Sequence, residues 1–252
     1  MKITIIKVGG KLVDEDSDLN SLCERVAVYY PTCVLVHGGG NMAGRLSEKL
    51  GITPKMHEGR RITDAPTLDI TVMTYAGLVN KRIVAKLQTK GVNACGLSGC
   101  DMNIILSHKR AVGEIDWGFV GDIEAVNVEP LTLLLQNKIL PVISPITCSR
   151  DGQLLNTNAD SVASAVAIAL SGMYETELIY CFDKPGVLLD VRDDSTYIPQ
   201  IDKAYYKVLL EKQVINLGML PKLENAFKTL EAGVKQVRLT SPKHLDGGTV
   251  IV

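Results

Sequence analysis

Residues 32–46, TCVLVHGGGNMAGRL, carry a β-branched apolar run into three consecutive glycines and on into a segment of helical spacing. The run reads as a buried strand and the spacing beyond it predicts a helix over 41–50. The glycines are the turn between them, either a tight strand-to-helix connection or a nest of backbone N–H groups at a helix N-terminus that would hold an anion. The turn is not a Walker A loop, because Gly44 is followed by Arg45 and Leu46 where Lys and Ser or Thr are needed. Its glycines also miss the Gly-x-Gly-x-x-Gly spacing of a dinucleotide site, and no acidic residue closes the second strand.

The same rhythm extends along the chain. ITIIKV, CVLVH, VNACGL, ILPVIS, LIYCF and VKQVRLT read as strands, and residues 17–30, 41–50, 66–90, 202–213 and 222–232 as helices, with an alanine-rich helix in NADSVASAVAIALS and a terminal strand in TVIV. Alternation of this kind predicts an α/β fold, a three-layer sandwich with a mostly parallel central sheet covered by helices on both faces. Residues 54–63 and 104–127 are polar, short-strand segments suited to hairpins beside that sheet. A soft boundary falls near Ser171 to Glu175, giving an N-terminal lobe over 1–172 and a C-terminal lobe over 173–252 on a shared sheet. Open sheets of this type bind ligands at the carboxyl ends of their strands. The loops after ITIIK, CVLVH, ACGL and LIYCF are therefore the places for a site.

Composition narrows the function. The chain has 252 residues, 46% of them hydrophobic, and balances 27 Lys and Arg against 28 Asp and Glu. A near-neutral chain without a basic stripe gives no reason to expect nucleic acid as a partner. No window reaches the roughly 18 apolar residues of a membrane span, and the short N-terminal apolar run reads as a strand rather than a signal peptide. A cytoplasmic protein is expected. Six scattered cysteines and four scattered histidines show no metal-binding spacing, so reduced thiols in or near the core are expected and no protein-held metal. Only His37 has a suggestive setting, beside the glycines.

Five short constellations carry possible chemistry. Lys7-Val8-Gly9-Gly10-Lys11 ends the first strand with a cation beside glycines, either an edge charge before a turn or a charge aimed at a ligand that the glycines let approach. His37-Gly38-Gly39-Gly40-Asn41 is the second. Gly59-Arg60-Arg61-Ile62-Thr63 offers guanidinium groups suited to a carboxylate, or a hairpin's surface charge. In Asn156-Thr157-Asn158-Ala159-Asp160, Asn158 suits a helix cap and leaves Asn156 and Asp160 for other work. Gly218-Met219-Leu220-Pro221-Lys222 places Lys222 at a helix start, against the preference of the helix dipole.

Taken in order, KVGGK, VHGGGN, GRRIT, NKRIVAKL, FVGD, LNTNAD, CFDKPGVLLD and GMLPKLENA span most of the chain. In this series the chain resembles the amino acid kinase family, and most of all those members that phosphorylate the side-chain carboxylate of N-acetylglutamate in arginine synthesis. The resemblance implies ATP with Mg²⁺ as phosphoryl donor, the metal arriving on the nucleotide with few or no protein ligands. It implies that Lys7 stabilises the transferring phosphoryl group, that Lys222 stands on the leaving-group side, and that Asp160 holds both lysines. Gly39 and Gly40 would offer amides to the phosphoryl group and the acceptor carboxylate, with Gly9 and Gly10 opposite. Arg61 would clamp the substrate's α-carboxylate, with Arg60 left as surface charge, and Asn156 would read the amide region. Asp183, Gly186, Val187 and Leu188 match the stretch that holds the nucleotide. Arginine-inhibited relatives carry an additional N-terminal helix, so an arginine-insensitive homodimer is expected. Alternatives are a succinyl in place of the acetyl group, a relative acting on free glutamate or carbamate, and a non-catalytic binding protein, which would be expected to lose the lysines.

Overall fold

The computed structural model describes residues 1–212, 214, 215 and 219–252. In chain order its elements are β1 (Lys2–Val8), α1 (Asp16–Ala27), β2 (Cys33–His37), α2 (Gly40–Lys49), β3 (Met56–His57), β4 (Arg60–Arg61), α3 (Ala65–Val72) and α4 (Asn80–Gln88). There follow β5 (Ala94–Ser98), β6 (Ile105–Lys109), β7 (Gly121–Val126), α5 (Val128–Gln136), β8 (Leu140–Ser144), β9 (Ile146–Cys148), β10 (Leu154–Asn156) and α6 (Ala159–Ser171). The chain closes with β11 (Glu175–Cys181), β12 (Gln200–Ile201), α7 (Lys203–Glu211), α8 (Leu220–Glu231), β13 (Gln236–Thr240) and β14 (Thr249–Ile251).

Eight strands form the main sheet in the order β12-β14-β13-β11-β1-β2-β8-β5. Every pairing is parallel except β13 with β14. β1 lies near the middle, and its last six residues are buried because both faces of a central parallel strand are covered. Alternation sends its side chains to two cores. Ile3 and Ile5, with Val34 and Val36 of β2, pack on the face that carries α5, α6, α7 and α8. Ile6 and Val8, with Cys33 and Leu35, pack on the face of α1, α2 and α4. Each fully buried aliphatic side chain contributes about 1.5–3 kcal/mol, so a one-residue slip of β1 would exchange the two sets and is strongly disfavoured. This is the expected three-layer α/β sandwich.

A second sheet, β10-β9-β6-β7, and the β3–β4 hairpin lie beside the main one, as the two polar segments led us to expect. The helix expected over 66–90 is built with a break in pitch: α3 and α4 are joined by a π-helical stretch, Met73–Val79. Helix α5 and strands β9, β10 and β12 lie outside the elements read from the sequence. Among the described residues no helix is long and apolar enough to cross a membrane.

Candidate active site

The parallel register decides where the glycines meet. Val8 is the partner of both Cys181 and His37, so the loops after β1, β2 and β11 leave the sheet side by side. Gly9 N–H donates to the Cys181 carbonyl and Gly38 N–H to the Val8 carbonyl, each at 3.0 Å, extending the ladders one residue past the strands. The two glycine turns then touch. A Cβ on Gly10 would stand 3.4 Å from the amide nitrogens of both Gly39 and Gly40, and one on Gly38 would stand 3.4 Å from that of Gly10. Gly10 opens a short 3₁₀ turn and Gly40 opens α2, positions whose N–H groups have no partner within their helix. Among the described residues the amides of Gly10, Gly39 and Gly40 meet no protein acceptor. Three such amides with the positive end of α2 behind them form an anion site.

Cations close this site on the face of α6. Lys7 points toward that helix, and its Nζ lies 2.8 Å from Asp160 Oδ1. Lys222 Nζ reaches Asp160 Oδ2 at 3.4 Å from the start of α8. Asp160 stands in the first turn of α6, which Asn158 caps by accepting from the N–H groups of Asp160 and Ser161 at 2.8 and 3.1 Å. Burial raises the Asp160 pKa, but the two ammonium groups outweigh it and hold the carboxyl below its ordinary value. The cluster is thus a carboxylate between two cations, net positive by one charge, with Lys7 two residues before Gly9 in the chain. Gly218, the first residue of its GMLPKLENA stretch, lies outside the described residues.

Arg61 and Asn156 stand on the other side of the glycine turn. The β3–β4 hairpin turns through Glu58 and Gly59, both at positive φ (46° and 74°), and leaves Arg60 exposed while turning Arg61 inward. Arg61 Nη2 donates to the Gly40 carbonyl at 2.9 Å, and its buried Nη1 has no hydrogen-bond partner among the described residues. A buried, unmatched guanidinium nitrogen costs desolvation energy unless an anion answers it. Asn156 is linked to this corner through Thr63: Asn156 Nδ2 donates to Thr63 Oγ1 at 2.9 Å, and the next residue but one before Thr63 is Arg61.

Asp183 and the stretch after it border a separate cleft of about 500 Å³, lined among others by Leu12, Tyr197, Ser241, His244 and Gly248. Asp183 lies on its rim, 3.3 Å from Lys11 Nζ. Gly186, Val187 and Leu188 follow directly on Pro185 of that lining. A Cβ on Gly186 would stand 2.6 Å from Thr249 Oγ1, the oxygen that accepts from Val187 N–H at 2.8 Å, and Val187 and Leu188 are buried.

Sequence reasoning gave no role to Tyr75 or to Asn80, although Asn80 opens the NKRIVAKL stretch. The Tyr75 ring lies against Gly39, where a Cβ would meet Cδ1 at 2.8 Å. Asn80 Nδ2 is 3.1 Å from His37 Nε2, at the base of the same turn. A signal for Asn80 existed: with Ile83 and Leu87 it falls on one helical stripe, where a buried amide stands among apolar neighbours. Tyr75 gives no such sign.

The description of the amino acid kinase family matches residues 2–241. Acetylglutamate kinase of Bacteroides fragilis is 51% identical over 252 residues, covering 99% of this chain and 97% of that protein. Acetylglutamate kinase of Parabacteroides distasonis is 50% identical over 247 residues, with 98% and 97% covered. The crystal structure of smu.665 from Streptococcus mutans superposes with a TM-score of 0.80 at 29% identity, covering 99% of this chain and 98% of that one.

Proposed function

The chain belongs to the amino acid kinase family, and from that premise we propose that it transfers the γ-phosphoryl group of ATP to the side-chain carboxylate of N-acetyl-L-glutamate, a step of arginine synthesis. The observation that carries this reading is the facing pair of glycine turns with Lys7, Asp160 and Lys222 beside them. At neutral pH the acceptor carboxylate has no proton to lose, so no general base is needed. The chemical demand is to bring two anions together and to neutralise the charge spread over the transferring phosphoryl oxygens. Amides and ammonium groups meet that demand.

Lys7 neutralises the transferring group, Lys222 the leaving oxygen, and Asp160 keeps both ammonium groups in place. The amides of Gly39 and Gly40 receive the phosphoryl group and the acceptor carboxylate, and Gly9 and Gly10 line the opposite side. Arg61 offers its unmatched Nη1 to the substrate's α-carboxylate, while Asn156 reads the amide region. The cleft at Asp183 takes the nucleotide, with Gly186, Val187 and Leu188 in the adjoining stretch. The donor set at the centre suits Mg²⁺ carried by ATP rather than held by side chains, because the Asp160 carboxylate is already taken by two cations. Bound to the phosphates, Mg²⁺ would supply further charge neutralisation. Residues 1–172 then form the lobe that binds the amino acid and residues 173–252 the lobe that binds ATP. On resemblance to the family we also assign a cytoplasmic homodimer.

A coupled ADP-release assay with N-acetylglutamate, N-succinylglutamate and free glutamate tests the reading. N-acetylglutamate should give the highest kcat/KM. Turnover on free glutamate matching or exceeding it would overturn the assignment, and a preference for the succinyl compound would move the acyl specificity alone.

A further inference from the structure

His37 is fully buried at the end of β2, and the roles of its two ring nitrogens follow from their neighbours. Nδ1 is 2.8 Å from the Gly38 carbonyl oxygen, which can only accept, so Nδ1 carries the proton. Nε2 is 3.1 Å from Asn80 Nδ2. The orientation of that amide is itself fixed, since Nδ2 also faces the carbonyls of Val142 at 2.9 Å and Leu97 at 3.3 Å while Oδ1 receives Lys81 Nζ at 3.2 Å. Nδ2 is a donor, so Nε2 is a bare acceptor. The ring is neutral and in one tautomer, and burial pulling its pKa down to about 4 keeps it so near neutrality.

That tautomer has a geometric consequence. A trans peptide points its C=O and N–H in opposite directions. The His37 proton on the Gly38 oxygen therefore fixes the direction of the Gly39 N–H, which emerges on the side of the Gly10 turn, where Gly39 N lies 3.4 Å from the place of a Gly10 Cβ. The opposite flank is held by Tyr75, packed on Gly39. Both supports come from one helix, five residues apart. In an α-helix they would lie about 140° apart; the i→i+5 turn over Met73–Val79 brings them round to one side. Gly96 leaves the room, since a Cβ there would stand 2.0 Å from Asn80 Oδ1.

We propose that His37 and Asn80 are positioning residues for phosphoryl transfer: Asn80 locks the His37 ring in its Nδ1–H form, and that N–H aims the Gly39 amide at the transferring group. This rests on the functional reading above. The ¹⁵N spectrum of the histidine rings in the wild-type protein tests the lock without a variant or an assay, and should show Nδ1 protonated and Nε2 bare in His37. In kinetics, His37→Asn keeps a donor near the Nδ1 position and should hold kcat within about threefold. His37→Gln places its amide at the Nε2 end and should lower kcat by at least about tenfold, a fraction of the 10²–10³ lost when an oxyanion donor is removed, with both KM values nearly unchanged. An Nε2-protonated ring, or equal kcat in the two variants, overturns the proposal. Should the wild type fail to phosphorylate N-acetylglutamate, the functional reading falls and the catalytic use of the lock with it, while the spectrum still decides whether the lock exists.

Discussion

Acidification from pH 7 to pH 5 should cost the wild-type protein about 2 kcal/mol of stability that a His37→Asn variant keeps. The buried ring is brought from its ordinary 6.5 to about 4, chiefly by burial, with the Gly38 carbonyl opposing and the Lys81 ammonium adding to the drop. Among the described residues its neighbours are neutral carbonyls and the Asn80 amide, with Lys81 the nearby charge and no carboxylate beside it. Between pH 6.5 and 4 the unfolded chain therefore binds a proton that the folded chain does not, and stability falls as pH falls. The slope approaches about 1.4 kcal/mol per pH unit where the difference is one full proton. Averaged over the approach to that limit, the interval from pH 7 to 5 yields about 2 kcal/mol. Urea unfolding at pH 7, 6 and 5, followed by circular dichroism, measures it as the change in the gap between wild type and variant. Curves that stay parallel would refute the reasoning, since they would mean that His37 takes up its proton equally in both states.

Other substitutions separate chemistry from architecture. Lys7→Ala should lower kcat by roughly a hundred- to a thousandfold, the usual loss for a group acting in the transition state, and Arg61→Ala should mainly raise KM for the amino acid; steady-state kinetics with each substrate varied tells them apart. Asp160→Ala strands two ammonium groups and should destabilise the fold by about 3–5 kcal/mol in urea, so a variant as stable as wild type would argue against the ion-pair cluster. Gly96→Ala places a methyl group 2.0 Å from Asn80 Oδ1 and should cost about 1–3 kcal/mol by overpacking, with kcat falling alongside if Asn80 is pushed from His37.

The sequence made the layers legible because burial on both faces leaves continuous apolar strands, and glycines mark the turns between them. It made Asn158 legible as a cap, because caps are local. Lys7, Asp160 and Lys222 are a different matter. Nothing in their spacing links a strand end to two distant helix starts, and only the resemblance to a family put them together before the fold did. The supports of the glycine turn stayed hidden for two reasons. Tyr75 and Asn80 share a side only in a π turn, whereas apolar spacing is read against a period of 3.6. Val187 and Leu188, by contrast, were assigned by motif and are buried, with Val187 N–H held by the distant Thr249, a contact that spacing does not show.

The stretch Met73–Val79 also turns chain length into a constraint. A π turn holds one more residue than the α-helix that would replace it. Deleting one residue between Tyr75 and Asn80 would leave a regular helix with every backbone bond made, and α4 could still bury Ile83 and Leu87. Tyr75 and Asn80, then four residues apart and about 40° round the helix, would both still face the glycines, whereas a second deletion has no extra residue to draw on and would turn α4 by about 100° against α3. A one-residue gap at this point, in a descendant or a designed variant, is therefore compatible with turnover, and a two-residue gap is the mark of its loss.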